Sequence, residues 1–189
     1  MSTAAAPRVL VTGERDAGKT VFCRAVVEEV RALPGPPVVA GVVSPRVYEH
    51  GEQVGIDVED LRTGRRRRLA TLRAPGEPAR SEATRLWRFD EEALAWGNEV
   101  LRSATPCDLL VVDELGPLEF EEGGGWSAGL AAVDSGAFTG AVVVVRPRLL
   151  SEAHRRWPAA EAVEMAEPAA AAAAAALLAA RLFGEGRVR

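Results

Sequence analysis

The stretch 9–20, VLVTGERDAGKT, constrains this chain more than any other. An apolar run (Val9, Leu10, Val11) leads to Gly13, and after four residues come Gly18, Lys19 and Thr20, the spacing G-x-x-x-x-G-K-[ST]. Phe22, Val26, Val30 and Leu33 then recur at helical spacing. Strand, glycine loop and helix in that order predict a loop that wraps a phosphate chain. The glycines let backbone N–H groups turn inward, and the helix N-terminus adds partial positive charge. The candidate nucleotide contacts are Gly13, Glu14, Arg15, Asp16, Ala17, Gly18, Lys19, Thr20 and Val21. Lys19 is placed against the β/γ-phosphates as a catalytic cation, and the Thr20 hydroxyl against Mg²⁺. Lys19 is also the only lysine in a chain whose other cationic side chains are arginines. A compact ammonium fits inside a loop of amides where a planar guanidinium does not.

Length and charge narrow the class. With 189 residues, the chain is read as one domain, 1–189, large enough to bury a core. A net charge of −4 gives no whole-chain attraction to nucleic acid or membrane. Cys23 and Cys107 fit a reducing compartment better than a disulfide framework. The N-terminus, MSTAAAPR, lacks the pattern of a signal peptide, and no run reaches the ~20 apolar residues of a membrane span. The expected location is cytoplasmic. Heavy alanine and arginine usage fits a GC-rich bacterial genome.

Along the chain, strand and helix signals alternate, which predicts an α/β fold. PGPP at 34–37 breaks the first helix, and VVAGVVS at 38–44 reads as a buried parallel-type strand. Val54, Ile56 and Val58 alternate before a Thr63-Gly64 turn, so 47–70 is expected to be a small antiparallel β-meander, followed by a loose segment over 73–82. Asp90 predicts an N-cap for a helix running to about Ser103, with Leu94, Val100 and Leu101 on its buried face. Further strands are expected at 108–114, 141–145 and 162–165, and helices at 126–134 and 149–156. An alanine-rich helix over about 168–183 closes the chain, with a disordered end as the alternative.

LLVVDE at 109–114 has the form of a Walker B strand, an apolar run ending in an acid. Asp113 is the second candidate metal ligand, opposite Thr20, and Glu114 is the candidate catalytic acid that polarises the attacking water. VVDELGPLE, with AGVVSPRVYEHGEQVGIDVEDL and FDEEALAWGNEVL before it, resembles the small nucleoside-triphosphatase family of thermophilic microbes. That family also includes the human cancer-related nucleoside triphosphatase. The resemblance covers about 8–165 and implies a P-loop NTPase fold, a mostly parallel RecA-like sheet flanked by helices. It also implies hydrolysis of NTPs with little base preference, with nucleotide at Gly13, Gly18, Lys19 and Thr20 and catalysis by Glu114. Glu119 matches the family pattern without a definite role. Two departures stand out: Arg15 and Asp16 occupy the middle of the loop, and Arg46 and Tyr48 replace residues expected near Ser44. Asp16 puts an anion near the phosphates, so its side chain is expected to turn outward or pair with Arg15.

The leading functional reading is therefore an Mg²⁺-dependent hydrolase that converts ATP, GTP or another NTP to NDP and phosphate. The alternatives are a small-molecule or nucleoside kinase using the same loop, and a nucleotide-binding adaptor with little hydrolysis. Weaker signals have two readings each. Arg65, Arg66, Arg67 and Arg68 form either a nucleic-acid contact or, as favoured by the adjacent turn, a solvated face. Arg146 and Arg148 are either γ-phosphate sensors or surface ion-pair partners. Residues 123–126 are either a lid carrying Trp126 or a connector ending in a core tryptophan. No protein partner is indicated, and the histidines lack companions at zinc spacing.

Overall fold

The computed structural model describes residues 5–79 and 84–184. Three segments lie outside it: 1–4, within the N-terminus read for a signal peptide; 80–83, which overlaps the end of the segment expected to be loose; and 185–189. Among the described residues nine strands form one sheet: β1 Arg8–Thr12, β2 Val39–Val43, β3 Arg46–Glu49, β4 Glu52–Asp60, β5 Arg66–Leu72, β6 Trp87–Phe89, β7 Cys107–Leu115, β8 Phe138–Val145 and β9 Glu161–Glu164. Their order is β6-β5-β4-β2-β7-β8-β1-β9, with β3 paired to β4. From β2 to β9 the pairings are parallel, whereas every pairing of β4 is antiparallel. The sheet thus has a parallel centre and an antiparallel wing, with β2 as the junction strand. The chain alternates strand and helix through the centre, as the sequence predicts.

Period-two alternation of the central strands builds two cores. Val9, Val11, Leu109, Val111, Val142 and Val144 point to the layer containing α1 Lys19–Arg31 and α6 Ala171–Phe183. Leu10, Leu110, Val112, Ala141 and Val143 point to the opposite layer of α2 Glu91–Arg102, α4 Ser127–Ser135 and α5 Leu150–Arg156. The one-turn helix α3 Pro117–Phe120 follows β7. The alanine-rich terminus is packed: Ala171, Ala175, Leu178, Ala179 and Leu182 form the buried stripe of α6. Among the described residues no helix is long and apolar enough to cross a membrane.

Several expectations need adjustment. The meander is larger than 47–70, because β3 begins at Arg46 and Trp87–Phe89 returns as a further strand, Trp87 pairing with Leu72 and Phe89 with Ala70 of β5. Three residues carry too little periodicity to mark a strand; pairing with β5 makes it one. Asp90 does cap α2, its Oδ1 accepting from the Ala93 N–H at 2.8 Å. The deeply buried stripe, however, is Ala93, Gly97 and Leu101, with Leu94 and Val100 flanking it. The small side chains let α2 approach the sheet and α4.

Candidate active site

The site lies at the carboxyl ends of β1, β7 and β2, where open α/β sheets bind ligands. β8 runs between β1 and β7, so a strand's width separates the phosphate loop from the acid pair. Both line one cavity of about 950 Å³. Gly13, Glu14, Arg15, Asp16, Gly18, Lys19, Thr20 and Val21 face it, together with Asp113 and Glu114. Ala17 does not; it is buried in the core beneath the loop.

Local geometry explains the loop glycines. Gly13 and Gly18 have φ of 139° and 90°, and the Gly13 position has no room for a side chain. A Cβ there would meet the Met165 carbonyl oxygen at 2.3 Å. Gly18 leads into α1, whose first residues are Lys19 and Thr20. Lys19 Nζ donates to the Gly13 and Glu14 carbonyls, each at 2.7 Å, which holds the ammonium over the loop.

The Asp16 expectation holds in a different form. Its side chain is 62% exposed and lies 3.9 Å from Arg15, but its close partner is Arg46 from β3. The two unusual residues near the loop and near Ser44 therefore neutralise each other. Asp16 also has a left-handed backbone, φ 70°.

Asp113 is buried at the end of β7. Its Oδ2 accepts from the Ser44 N–H at 3.2 Å, and its carbonyl accepts from the Ser44 hydroxyl at 2.5 Å. Burial pushes the carboxyl up to about 6, and the charge of Glu114 pushes the same way. The Thr20 hydroxyl, the Ser44 N–H and Lys19 oppose that rise. Thr20 and Asp113 thus converge as hard oxygen donors, a set that fits Mg²⁺ completed by phosphate and water. Among the described residues no group of three or more His, Cys, Asp or Glu forms a metal cage.

Glu114 is partly exposed, and its Oε1 accepts from Arg146 Nε at 2.7 Å. Arg148 instead pairs with Glu121 at 2.8 Å on the surface. The two arginines, equivalent in the sequence reading, are separated by their partners. Glu119 acquires a structural role: its buried carboxylate accepts from the Gly116 and Trp126 N–H groups, each at 2.6 Å. It staples the turn after Glu114 to the start of α4. Burial raises its carboxyl pKa against the pull of these N–H donors. Trp126 is 4% exposed and part of the core while also lining the cavity, so it fits the connector reading. The arginine run lies on the exposed start of β5, after the turn: Arg66 pairs with Glu59, Arg68 with Asp57, and Arg67 lies 5.1 Å from the Trp96 ring centre.

Sequence reasoning missed Ser44, the Arg46–Asp16 pair and the Arg146–Glu114 contact, all made across distant segments. Glu119 had a local signal, an acid at the third position of a turn opened by Gly116-Pro117.

Comparison with known proteins adds a family. A family model described as NTPase matches residues 8–148. The nucleoside-triphosphatase THEP1 of Thermofilum pendens is 34% identical over 136 residues, 69% of this chain and 70% of that protein. THEP1 of Methanosarcina barkeri is 30% identical over 114 residues, 60% of this chain and 63% of that relative's length, so the chain spans under two thirds of it. Two solved structures share the fold. The solution structure of a human cancer-related nucleoside triphosphatase has a TM-score of 0.63 at 20% identity, covering 92% of this chain and 97% of that one. The crystal structure of THEP1 from the hyperthermophile Aquifex aeolicus has a TM-score of 0.65 at 15% identity, covering 93% and 99%. With its loop, its acid pair and a family match across most of its length, this chain belongs to the NTPase family.

Proposed function

We propose that this protein hydrolyses nucleoside triphosphates to the diphosphate and inorganic phosphate, with broad base preference. The observation that carries this reading is the facing of the Gly13-to-Thr20 loop and the Asp113–Glu114 pair across one cavity. The loop amides and Lys19 bind the phosphate chain and neutralise charge that builds on the terminal phosphoryl group. Thr20 and Asp113 would hold Mg²⁺, which when bound supplies further charge neutralisation at the phosphate oxygens. Binding of a cation there offsets the burial and repulsion that raise the Asp113 carboxyl. Glu114 orients a water and accepts its proton. Arg146 holds the Glu114 carboxylate in place and lends it a positive neighbour. Retention of Glu114 counts against an adaptor that only binds nucleotide. The THEP1 relatives are named as nucleoside-triphosphatases, in agreement with this assignment. A cytoplasmic setting suits the two free cysteines.

The test is phosphate release from ATP, GTP, CTP and UTP with and without Mg²⁺. Metal-dependent release from all four within about tenfold supports the reading. Absence of release from any of them refutes it.

A further inference from the structure

Arg146 is the residue at which the chain leaves β8, and β8 is the strand inserted between the phosphate loop and the acid pair. Register fixes its level. Val144 pairs with Val11 of β1, and Val145 pairs with Leu115 of β7. Arg146 therefore departs from the sheet where the loop begins on one side and where the turn after Glu114 begins on the other. It lines the same cavity as Lys19 and Glu114. A terminal phosphoryl group held by Lys19 and approached from Glu114 spans this gap, above the end of β8.

The root of the side chain is fixed. Pro147 follows it and favours the extended backbone that Arg146 adopts, φ −64° and ψ 143°. The Arg146 carbonyl accepts from the Leu149 N–H at 2.9 Å. The guanidinium passes beside Gly116, where a Cβ would lie 3.5 Å from Nε, on the turn that Glu119 braces. From there Nε donates to Glu114 Oε1 at 2.7 Å, while among the described residues the two terminal nitrogens have no hydrogen-bond partner. A guanidinium is a rigid plane of five donors, so one engaged through Nε still presents its Nη N–H groups to a second anion. Arg24 and Arg46 also line the cavity, but Glu59 holds the first and Asp16 the second.

Charge supplies the reason for an arginine at this point. Glu114 is a carboxylate that has to approach a phosphoryl group, with Asp113 beside it, so anion meets anion. A neutral donor could orient Glu114 equally well. A cation between the two also screens them, and its spare donors can bind the oxygens on which charge gathers.

We propose that Arg146 is a catalytic residue that bridges Glu114 and the terminal phosphoryl group, with Nε on the carboxylate and the Nη groups on the phosphoryl oxygens. This rests on the hydrolase reading above. The water oxygen bonds to the terminal phosphorus as the bond from that phosphorus to the β–γ bridging oxygen breaks. The NDP leaves with that electron pair, and the water proton passes to Glu114. Arg146 takes no proton; it neutralises charge on the phosphoryl oxygens while keeping the base aligned, and it does so from within the same chain.

The experiment is a double-mutant cycle on the full chain, with wild type, Glu114→Gln, Arg146→Ala and the double variant. Single-turnover hydrolysis of Mg-ATP gives the rates, and calorimetry gives ADP affinity for all four and ATP affinity in the Glu114→Gln background. Arg146→Ala should slow hydrolysis at least ~100-fold, a floor set beneath the usual worth of an arginine at a transferring phosphoryl group, with ADP affinity held within about twofold. The Glu114→Gln background isolates the contact, because a neutral glutamine removes the charge that Arg146 screens. There the second substitution should slow residual hydrolysis by a further ~10-fold or more and weaken ATP binding at least ~5-fold. A double variant equal to Glu114→Gln in rate and in ATP affinity would show action through Glu114 alone and overturn the phosphoryl contact. Arg146→Ala within about threefold of the wild-type rate, or equal losses of ATP and ADP affinity, would overturn it too. Arg146→Lys keeps the charge without the fork and repeats the comparison should the alanine variant not fold; its rate should fall at least ~10-fold, and a wild-type rate would overturn the bridge. Absence of hydrolysis by the wild type overturns the functional reading beneath the proposal instead.

Discussion

Glu119→Ala probes the staple that joins the catalytic strand to α4. The carboxylate accepts two N–H groups at 2.6 Å, and both donors are left without it in the variant. A hydrogen bond to a charged group contributes about 1.5–3 kcal/mol, and an orphaned buried N–H costs about 1–3 kcal/mol. Burial of the carboxylate opposes these gains, as the raised pKa records. The net loss of stability on truncation should then be about 3 kcal/mol, which in a chain of this size lowers Tm by roughly 6–12 °C. Glu119→Gln keeps one acceptor and turns an amide N–H toward the other donor, so its loss should be smaller, about half. The pH dependence has a definite sign. A carboxyl whose folded pKa lies above its unfolded value contributes stability fully present below the unfolded pKa and lost as pH rises through the folded one. The cost of Glu119→Gln should therefore be greatest at acid pH and shrink as pH rises. Urea denaturation followed by tryptophan fluorescence from pH 4 to 8 reads both effects. A Glu119→Ala variant within about 0.5 kcal/mol of wild type would refute the staple, since that is the range of neutral surface changes.

Three further outcomes follow from the loop and its surroundings. Lys19→Ala should weaken ATP binding more than ADP binding in calorimetry, and equal losses would count against placing the ammonium at the β/γ oxygens. Arg46→Ala leaves Asp16 with only the looser Arg15 contact beside the phosphates, so ATP affinity should fall about 2- to 5-fold, the scale of an exposed ion pair, and Asp16→Gly should restore it. Failure of that double variant to recover would separate the pair from binding. Replacing Arg65, Arg66, Arg67 and Arg68 with serine should leave hydrolysis within about twofold of wild type, because Arg66, Arg68 and Arg67 are engaged with Glu59, Asp57 and Trp96; a large fall in turnover would contradict a solvated-face role.

What the sequence made legible was local. Gly13, Gly18, Lys19 and Thr20 lie within eight consecutive residues, and Asp113 and Glu114 are neighbours, so spacing alone singled out both halves of the candidate site. The central strands were legible because their alternation serves two helical layers at once. What stayed hidden depends on non-local pairing. Arg46 reaches Asp16, Arg146 reaches Glu114 across 32 residues, and Ser44 reaches Asp113 across 69. Arg46 and Arg146 drew notice in the sequence, but nothing local to them or to Ser44 names the partner. The β6 strand was hidden for a related reason: Trp87–Phe89 is too short to show a period, and its partner strand supplies the order.

The assignment of Glu114 to the attacking nucleophile is the centre of this account. Glu114→Gln keeps the length of the side chain and its capacity to hydrogen bond while removing the charge that accepts a proton. Single-turnover hydrolysis of Mg-ATP, measured alongside ATP affinity, tests it most directly. The rate should fall at least ~100-fold, the usual worth of a positioned base, with affinity held or slightly raised. Hydrolysis by Glu114→Gln at the wild-type rate would contradict the assignment.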